Sequence, residues 1–447
     1  MYAPQHTTKT LIVGLGKTGL SCARFLARQG LDVAVTDSRE RPPGLKELHN
    51  MVPNAAVFVG GFSEDALTHA DQVVLSPGIP VAAPFIAKAR ALGLPVLGDI
   101  ELFARQVHAP VVGITGSNGK STVTTLLGLM AERAGIEVRV GGNLGTPALD
   151  LIRETEPRLY VLELSSFQLE VTVSLRCTVA TVLNISPDHM DRYASLAEYA
   201  AAKARIFARC DVAVINRADD WVRRMVPSTH KQVSFGLDAP SGRDYGVIVH
   251  GRQRWLARGD EKLLPADALR IRGDHNLANA LAALALGDTA GLPTDAMLTA
   301  LREFRGLPHR MEYVADVKGV SWYDDSKATN VGATLAAVSG LAGPLVLIAG
   351  GDGKGQDFTP LAQALAGKTR VLVLLGKDAA VIETAMGGHV PLARVKDMDT
   401  AVQAAARFAQ PGDLVLLSPA CSSLDMFNNF EHRGRVFVQA MRRWADA

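Results

Sequence analysis

An alternation of short β-rich runs with Ala/Leu-rich helical patterns extends along nearly the whole chain. The β-rich runs lie at 11–14, 33–36, 72–76, 111–115, 160–164, 179–185, 211–215, 345–349, 371–375 and 414–418. Such alternation is typical of βαβ units, in which helices join parallel strands and cover the sheet. At 447 residues the chain is too long for one ordinary core, and the length favours about three domains. We therefore predict an α/β protein built around parallel sheets.

Two connecting segments interrupt this alternation and mark candidate domain boundaries. The segment 98–110 joins the first βαβ array to the next strand, and 306–310 closes a long helical stretch before a new array. We place the domains at 1–99, 100–305 and 306–447. Residues 217–272 are more polar, with alternating runs at 245–250 and 254–258. They predict an antiparallel excursion of the middle domain.

Composition limits the classes of partner. Hydrophobic residues make up 48% and charged residues 21%, and the net charge is only +2. This is a soluble globular profile, with no case for a nucleic-acid or membrane partner. The four cysteines are far apart and lack metal-finger spacing, which favours reduced thiols in the cytosol. The polar start at 1–9 and the short apolar run at 11–15 predict neither a signal peptide nor a membrane span.

The first glycine-rich loop is Gly14-Leu-Gly-Lys-Thr-Gly19, which follows a β-rich run and opens a helical pattern over 20–29. Asp37 ends the next strand. These are elements of the Rossmann fingerprint, with glycines for a tight turn and a carboxylate for ribose hydroxyls. The pattern indicates a diphosphate on a helix N-terminus. Both NAD and a uridine diphosphate satisfy it.

The second glycine-rich loop, Gly113-Ile-Thr-Gly-Ser-Asn-Gly-Lys-Ser121, lies between a strand and a helical run over 121–133. Backbone N–H groups of such a loop cradle phosphates, Lys120 can reach β- and γ-phosphates, and the Ser121 or Thr122 hydroxyl can hold Mg²⁺. Ile114 stands where the strict pattern has glycine. The alternative is a glycine turn before a helix that binds nothing.

Two candidate metal ligands follow strands downstream of this loop. Glu163 comes at the end of one strand, where a Mg²⁺ ligand of a phosphate site is expected. His189 lies in a polar loop just past the next strand. Taken alone, Glu163 is more often a helix-capping or exposed carboxylate, and a lone loop histidine such as His189 is usually only a surface polar group.

Lys203 falls within the apolar stripe of the helical run 196–208, at helical spacing from Tyr199 and Ile206. One interpretation is a lysine whose stem covers the core while its ammonium reaches water. The other is a desolvated lysine of lowered pKa, able to react or be modified. Spacing alone favours the first.

The chain resembles the Mur ligases over essentially its whole length. The motifs that match, in order, are GITGSNGKST at 113–122, LELSSFQL at 162–169, DHMDRY at 188–193, GLPHR at 306–310, DDSKATN at 324–330 and LSPACSSLD at 417–425. The resemblance implies three α/β domains: a Rossmann-like N-terminal domain for a uridine diphosphate substrate, a central P-loop ATPase-like parallel-sheet domain, and a Rossmann-like C-terminal domain for an amino acid.

Within this family, the motifs imply addition of D-glutamate to UDP-N-acetylmuramoyl-L-alanine, a step in making peptidoglycan precursors. ATP would phosphorylate the substrate's terminal carboxylate, and the D-glutamate amine would displace phosphate. The resemblance also implies two Mg²⁺ ions, for which Mn²⁺ can substitute, and a cytoplasmic enzyme that acts as a monomer.

The resemblance assigns roles to residues. It implies that Ser121 and Glu163 hold the first Mg²⁺, and that His189 holds the second together with Lys203, modified to a carbamate. Lys120 acts on the phosphates. The ATP-binding residues that it implies are Gly116, Asn118, Gly119, Lys120, Ser121, Thr122, Asn276, Asn279, His309, Arg310, Asp325 and Lys327. For Asn276, and less so Asn279, the structural alternative is helix capping.

Two further sets complete the implied site. D-Glutamate would meet Thr329, Lys354, Ser423 and Phe430. The glycine turn around Lys354 also fits another phosphate site. The UDP substrate would meet Gly16, Lys17, Thr18, Asp37, Ser38, Arg39, Ser76, Gly78, Asn143 and His189.

Three competing hypotheses stay open at this point. An NAD-dependent oxidoreductase explains the first glycine loop but leaves Lys120, Glu163, His189 and Lys203 without a role. A non-catalytic ATP-dependent switch explains the second loop alone. A ligase that adds L-alanine, or glutamate to a folate, shares the ATP chemistry; a folate ligase would not explain the first domain.

Overall fold

The first sheet lies at the start of the chain. The computed structural model describes residues 8–271, 273–339, 341 and 343–446. The polar start at 1–9, for which no signal peptide is predicted, therefore lies mostly outside the described residues. The strands are β1 (Lys9–Val13), β2 (Asp32–Asp37), β3 (Ala56–Val59), β4 (Gln72–Leu75) and β5 (Val96–Leu97). The helices are α1 (Lys17–Arg28), α2 (Leu45–Met51), α3 (Glu64–Thr68) and α4 (Pro84–Ala91). The strands are parallel, in the order β3-β2-β1-β4-β5.

The second sheet has nine strands, in the order β14-β13-β12-β11-β10-β9-β6-β8-β7. They are β6 (Val111–Thr115), β7 (Val138–Gly142), β8 (Leu159–Glu163), β9 (Cys177–Val182), β10 (Cys210–Asn216), β11 (Gln232–Phe235), β12 (Tyr245–His250), β13 (Gln253–Arg258) and β14 (Glu261–Pro265). The helices are α5 (Asp99–Ala104), α6 (Lys120–Arg133), α7 (Ser166–Leu169), α8 (Leu196–Ala204), α9 (Asp220–Met225), α10 (Asp274–Thr289) and α11 (Thr294–Glu303).

The predicted antiparallel excursion is confirmed for β12, β13 and β14, which pair antiparallel. The prediction is wrong for β11, which pairs parallel with β10 and at one position with β12. The reason is local: α9 crosses between β10 and β11, and such a helical crossover joins parallel strands. The parallel part of the sheet therefore extends further than the polarity of this segment indicates.

The third sheet has six strands, in the order β15-β16-β20-β17-β18-β19. They are β15 (Glu312–Val317), β16 (Val320–Asp324), β17 (Leu345–Gly350), β18 (Thr369–Leu375), β19 (Leu392–Arg394) and β20 (Leu414–Leu417). The helices are α12 (Val331–Ser339), α13 (Thr359–Leu365), α14 (Ala379–Met386), α15 (Met398–Phe408) and α16 (Phe430–Ala445). Among the strand pairs that the described residues form in this sheet, only β15–β16 is antiparallel. The predicted α/β class with three domains is confirmed, whereas the exact boundaries stay a prediction.

Central strands are buried on both faces. All residues of β6, β8 and β17 are buried, as expected for parallel strands covered by helices on each side. Helix α10 packs on α6 with nearly every residue from Leu277 to Gly287 buried. Strands β6 and β8 pair in parallel, so their carboxyl ends lie next to each other, at the edge where ligands of such sheets bind.

Two helices differ from the predicted bounds by more than one residue. Helix α1 begins at Lys17, three residues before the predicted start, with Gly16 as its extended N-cap. Helix α8 ends at Ala204, and 205–207 form a 3₁₀ turn. The first change places Lys17 and Thr18, predicted in the glycine-rich loop, in the first turn of α1, whereas the second leaves Lys203 within α8. Within the described part of the chain, no helix is long and apolar enough to cross a membrane.

Candidate active site

The second glycine-rich loop runs from the end of β6 to the start of α6. Gly116 and Gly119 have φ values of 149° and 83°, and a Cβ on Gly119 would lie 2.4 Å from Asn279 Oδ1. Both positions therefore require glycine. Lys120 Nζ donates to the carbonyls of Gly116 and Ser117, each over 2.8 Å. Burial lowers the pKa of Lys120, while nearby Glu163 and Asp188 oppose that shift.

Beside this loop lies a central cavity of about 250 Å³. It is lined by residues of the second and third sheet regions, that is, of the second and third sheets with their helices and loops. They include Ser117, Asn118, Lys120, Ser121, Asn143, Glu163, Ser165, Phe167, Asp188, His189, Tyr199, Lys203, Arg310, Lys327, Thr329, Asn330 and Lys354. The structure thus brings together the four residues given catalytic roles, Lys120, Glu163, His189 and Lys203.

Glu163 is the last residue of β8 and pairs with Ile114 of β6. Its Oε1 accepts from Asn143 Nδ2 over 2.7 Å. Its Oε2 is buried and has no hydrogen-bond partner among the described residues. An orphaned buried carboxylate oxygen is costly unless something else binds it. A divalent cation that also binds the Ser121 hydroxyl matches the chemistry of this carboxylate oxygen.

Lys203 is 2% exposed, and its Nζ ends at the central cavity. The Nζ donates to Thr115 Oγ1 over 3.3 Å and lies 4.7 Å from the Tyr199 ring centre. Burial, followed by the charge of Lys120, holds the pKa of this amine well below its usual range. The interpretation of a snorkelling lysine is therefore wrong, because the helix stripe faces this cavity rather than bulk water.

His189 occupies a strained turn, with φ at 57°. Burial lowers the pKa of its imidazole to about 4, although the charge of Asp188 opposes the shift. The ring is therefore neutral at ordinary pH and offers a lone pair to a metal ion. The structure places it in the central cavity and not in the N-terminal cavity described below.

A second cavity, of about 150 Å³, lies against α10. The predicted ATP residues that line it are Asn118, Gly119, Thr122, Asn276, Asn279, Arg310, Asp325 and Lys327. The helix N-cap is Gly273, so the capping interpretation of Asn276, the third helical residue, is wrong. Asn279 Nδ2 instead donates to Asn276 Oδ1 over 3.3 Å.

Charged groups line the edge of this second cavity, which we call the α10 cavity, and burial strongly shifts the pKa values of two of them. Arg310 Nη2 donates to Ser121 Oγ over 2.9 Å, so the third region reaches the glycine loop of the second. Burial raises the pKa of Asp325 to about 7. Burial, then the charge of Arg310, lowers the pKa of Lys327 to about 8. His309 lines neither cavity; its Nδ1 lies 2.7 Å from Asp324 Oδ2.

A third cavity, of about 640 Å³, lies at the carboxyl ends of the first sheet. Nine of the ten residues predicted for the UDP substrate line this N-terminal cavity: Gly16, Lys17, Thr18, Asp37, Ser38, Arg39, Ser76, Gly78 and Asn143. His189, the tenth, does not. Glu431, from the start of α16, also lines it.

Both oxygens of the Asp37 carboxylate already accept hydrogen bonds from the protein itself. Its Oδ2 accepts from Leu15 N over 2.7 Å and from Arg39 Nη2 over 2.6 Å, and its Oδ1 accepts from Arg39 N and Nε. Burial alone would raise the pKa of this carboxyl, but the bonds from Arg39 and Leu15 bring it to about 2. Asp37 therefore orients Arg39 instead of offering free oxygens to a ribose.

The predicted D-glutamate residues are only partly brought together. Thr329 and Lys354 line the central cavity, whereas Ser423 and Phe430 do not. Lys327 Nζ lies 3.8 Å from the Phe430 ring centre. The Lys354 turn belongs to the same cavity as the glycine loop, which does not favour a separate phosphate site there.

Asp188 and Asn330 join the second and third regions, and neither was assigned a role from sequence. Asp188, 6% exposed, accepts from Lys354 Nζ and from Asn330 Nδ2, each over 3.2 Å. Asn330 Nδ2 also donates to Asn118 Oδ1 over 3.2 Å. Both residues lie inside the motifs 188–193 and 324–330, and that membership was the one available signal.

Comparison with known proteins agrees with this geometry. Family models described as "Mur ligase MurD-like, N-terminal domain", "Mur ligase middle domain" and "Mur ligase, glutamate ligase domain" match residues 8–98, 114–287 and 309–421.

Two similar proteins, from Nitrosococcus oceani and Pseudomonas aeruginosa, are each named UDP-N-acetylmuramoylalanine--D-glutamate ligase. The first is 54% identical over 441 residues, 98% of this chain and 97% of the relative. The second is 54% identical over 439 residues, 97% of this chain and 98% of the relative.

A solved structure, the MurF ligase of Thermotoga maritima in complex with ADP, has the same fold. Its TM-score is 0.62 at 17% identity, and the match covers 100% of this chain and 98% of that one.

Proposed function

Because the chain belongs to the Mur ligase family, we propose that it adds D-glutamate to UDP-N-acetylmuramoyl-L-alanine with ATP, in the synthesis of peptidoglycan precursors. The product bond is an amide, and an acyl phosphate precedes it. We further propose that the enzyme acts in the cytoplasm as a monomer, with domains at 1–99, 100–305 and 306–447.

The observation that supports this function most is the position of Asn143. Its side chain lines the N-terminal cavity and the central cavity alike. A substrate whose nucleotide occupies the first cavity can therefore extend its terminal carboxylate past Asn143 to the glycine loop. The carboxylate would there meet the γ-phosphate of an ATP whose base lies in the α10 cavity, on Asn276 and Asn279.

Cationic side chains dominate the proposed phosphoryl-transfer site. Lys120 stands at the glycine loop, and Arg310 and Lys327 reach it from the third region. Phosphoryl transfer is accelerated mainly by such positioning and by charge stabilisation. The γ-phosphorus would bond to a carboxylate oxygen while its bond to the ADP oxygen breaks, and these cations offset the charge on the transferring group.

Metal ions fit the donors in the same cavity. Ser121 and the orphaned Glu163 Oε2 would hold one Mg²⁺, and neutral His189 with a carbamate on Lys203 would hold a second, with Mn²⁺ able to substitute. When bound, the ions would neutralise phosphate oxygens and help to align them. The low pKa of Lys203 supports carbamate formation, since only a neutral amine adds CO₂.

The third region supplies the proposed amino-acid site. Lys354 and Thr329 at the central cavity would hold carboxylates of D-glutamate and direct its amine toward the acyl carbon. The amine nitrogen would bond to that carbon, lose a proton, and phosphate would leave with the carbon–oxygen bond. Ser423 and Phe430 stand further off and would contribute only if the third region shifts on binding.

The decisive assay follows phosphate release from ATP with UDP-N-acetylmuramoyl-L-alanine and a panel of D-glutamate, L-glutamate, L-alanine and glycine. We expect release that depends on both the nucleotide substrate and D-glutamate. Phosphate release without any amino acid, or phosphate release that L-alanine supports equally well, would contradict the proposal. Saturable quenching of NADH fluorescence by the protein would instead favour an oxidoreductase.

A further inference from the structure

Arg192 joins the first and second sheet regions, although no role was assigned to it above. Its Nη1 donates to the Pro77 carbonyl over 2.8 Å, and its Nη2 donates to Glu170 Oε2 over 2.6 Å. The Arg192 and Glu170 side chains are only 9% and 11% exposed. Pro77 stands in the wall of the N-terminal cavity. One guanidinium thus ties that wall to the second region.

The same guanidinium also lies over Phe167, a residue of the central-cavity wall. Arg192 Cζ lies 3.8 Å from the Phe167 ring centre, and that ring lies 4.7 Å from the His189 ring. Phe167 and His189 both line the central cavity. A chain of direct contacts therefore runs from Pro77 through Arg192 and Phe167 to His189.

The backbone adds a second link between Arg192 and His189. The N–H groups of Arg192 and Tyr193 both donate to the His189 carbonyl, over 2.9 and 3.1 Å. These bonds close the turn that holds His189 at its positive φ. Tyr193 also donates through its hydroxyl to Glu170, the partner of Arg192. A shift of the guanidinium therefore acts on both the ring and the backbone of His189.

We propose that Arg192 is a positioning residue that couples a nucleotide in the N-terminal cavity to the arrangement of His189 in the central cavity. The inference rests on the proposed function for the identity of the two ligands. A guanidinium suits the task because it donates in two fixed directions while its face stacks on a ring. A lysine ammonium in its place cannot make all three contacts at once.

The buried Nε of Arg192 also supports a functional role for this residue. Arg192 Nε is buried without a hydrogen-bond partner among the described residues. A buried donor without a partner destabilises a fold. The contacts of Arg192 thus come from its two terminal nitrogens and from the stacking of its guanidinium on Phe167. Stability of the fold alone does not account for an arginine at this position.

The test is a binding cycle on the full chain. The dissociation constant of UDP-N-acetylmuramoyl-L-alanine is measured by calorimetry with and without a non-hydrolysable ATP analogue and Mg²⁺, and the ratio of the two constants gives the coupling. The variant is Arg192→Lys. The matched control is Arg205→Lys, because Arg205 also donates to two carbonyls, of Leu169 and Thr172, but both lie within the second region.

We expect the wild type and Arg205→Lys to show the same coupling, about fivefold or more. We expect Arg192→Lys to show a ratio near one and a kcat lowered about tenfold, a loss typical of a broken charge-assisted hydrogen bond. An unchanged ratio in Arg192→Lys, or no coupling in the wild type, overturns the inference.

A second variant guards against misfolding. If Arg192→Lys does not show a cooperative melting transition, Glu170→Gln replaces it, since the shape of the side chain is kept while the ion pair with Arg192 is weakened. A wild-type ratio in Glu170→Gln then overturns the inference. Failure of the proposed function is distinct, because it appears as absent D-glutamate-dependent turnover in the wild type, whereas the binding cycle needs no turnover.

Discussion

Asn143 donates a hydrogen bond to Glu163 over 2.7 Å and occupies only one oxygen of that carboxylate. The other oxygen is buried without a hydrogen-bond partner among the described residues. The two side chains come from the ends of neighbouring parallel strands, β7 and β8. One residue of the substrate-facing loop thereby fixes the direction in which the free carboxylate oxygen points.

Glu163→Gln should remove binding of Mg²⁺ while leaving the fold intact, because a neutral amide still accepts from Asn143 but no longer offers an anionic oxygen. We expect the rise in melting temperature that Mg²⁺ with an ATP analogue gives the wild type to disappear, and kcat to fall by about 100-fold or more. Glu303→Gln, at an exposed ion pair with Arg133, is the control. A full Mg²⁺ shift in Glu163→Gln would show that the metal binds elsewhere.

Lys203→Ala should abolish most activity, also by about 100-fold or more, if a carbamate on this lysine is a metal ligand. Short carboxylic acids such as acetate should restore part of the rate, since they return an oxygen ligand to the space that is left, whereas bicarbonate alone should not. The measurement is phosphate release against acid concentration. Full activity of Lys203→Ala would show that the buried lysine is structural.

Asp37→Asn should weaken binding of the nucleotide substrate by freeing Arg39, which Asp37 holds through three hydrogen bonds. We expect KM for that substrate to rise about tenfold, with kcat and the KM for ATP unchanged. The pKa of Asp37, at about 2, keeps the carboxyl ionised, so the loss should be the same from pH 6 to pH 9. Asp32→Asn, at the exposed start of the same strand, is the control.

Asp99→Asn should stabilise the protein at alkaline pH. Burial raises the pKa of Asp99 to about 6, although a bond from Gln168 opposes the shift. The folded state then binds the proton more tightly than the unfolded chain. The stability gained from protonation is complete below about pH 4 and lost as pH rises through about 6.

The advantage of Asp99→Asn over the wild type should therefore shrink by roughly 1–1.5 kcal/mol between pH 8 and pH 5. Urea unfolding of both proteins at the two pH values measures this, and the difference between them cancels the titration of other groups. A constant difference would mean that Asp99 has an ordinary pKa in the fold.

Much of the site could be predicted from local patterns. The strand before the glycine loop, Val111–Thr115, and the strand-end position of Glu163 follow from hydrophobic runs and from the edge at which parallel strands present their ligands. The placement of Lys203 in an apolar stripe was visible too, but not whether that stripe faced water or a cavity. Periodicity reports which face of a helix is covered and not what covers it.

Contacts between the sheet regions could not be predicted. Asp188 meets Asn330 across 142 positions of sequence, and Arg192 meets Pro77 across 115. Such pairs depend on how finished domains pack, which no local pattern encodes. The same limit explains why His189 was assigned to the UDP substrate although it lies in the central cavity.

Glu431 lines the N-terminal cavity from the beginning of the last helix, α16. That helix is anchored by Arg433, which donates to Ser326 and to the Cys421 carbonyl. During synthesis the first sheet leaves the ribosome early, and domains generally fold in that order. Yet Glu431, which forms part of the wall of the N-terminal cavity, is among the last residues to be translated. A nascent chain can thus fold its first sheet region long before it can enclose a substrate, so a stop codon ahead of α16 would leave the N-terminal cavity without the part of its wall that Glu431 forms.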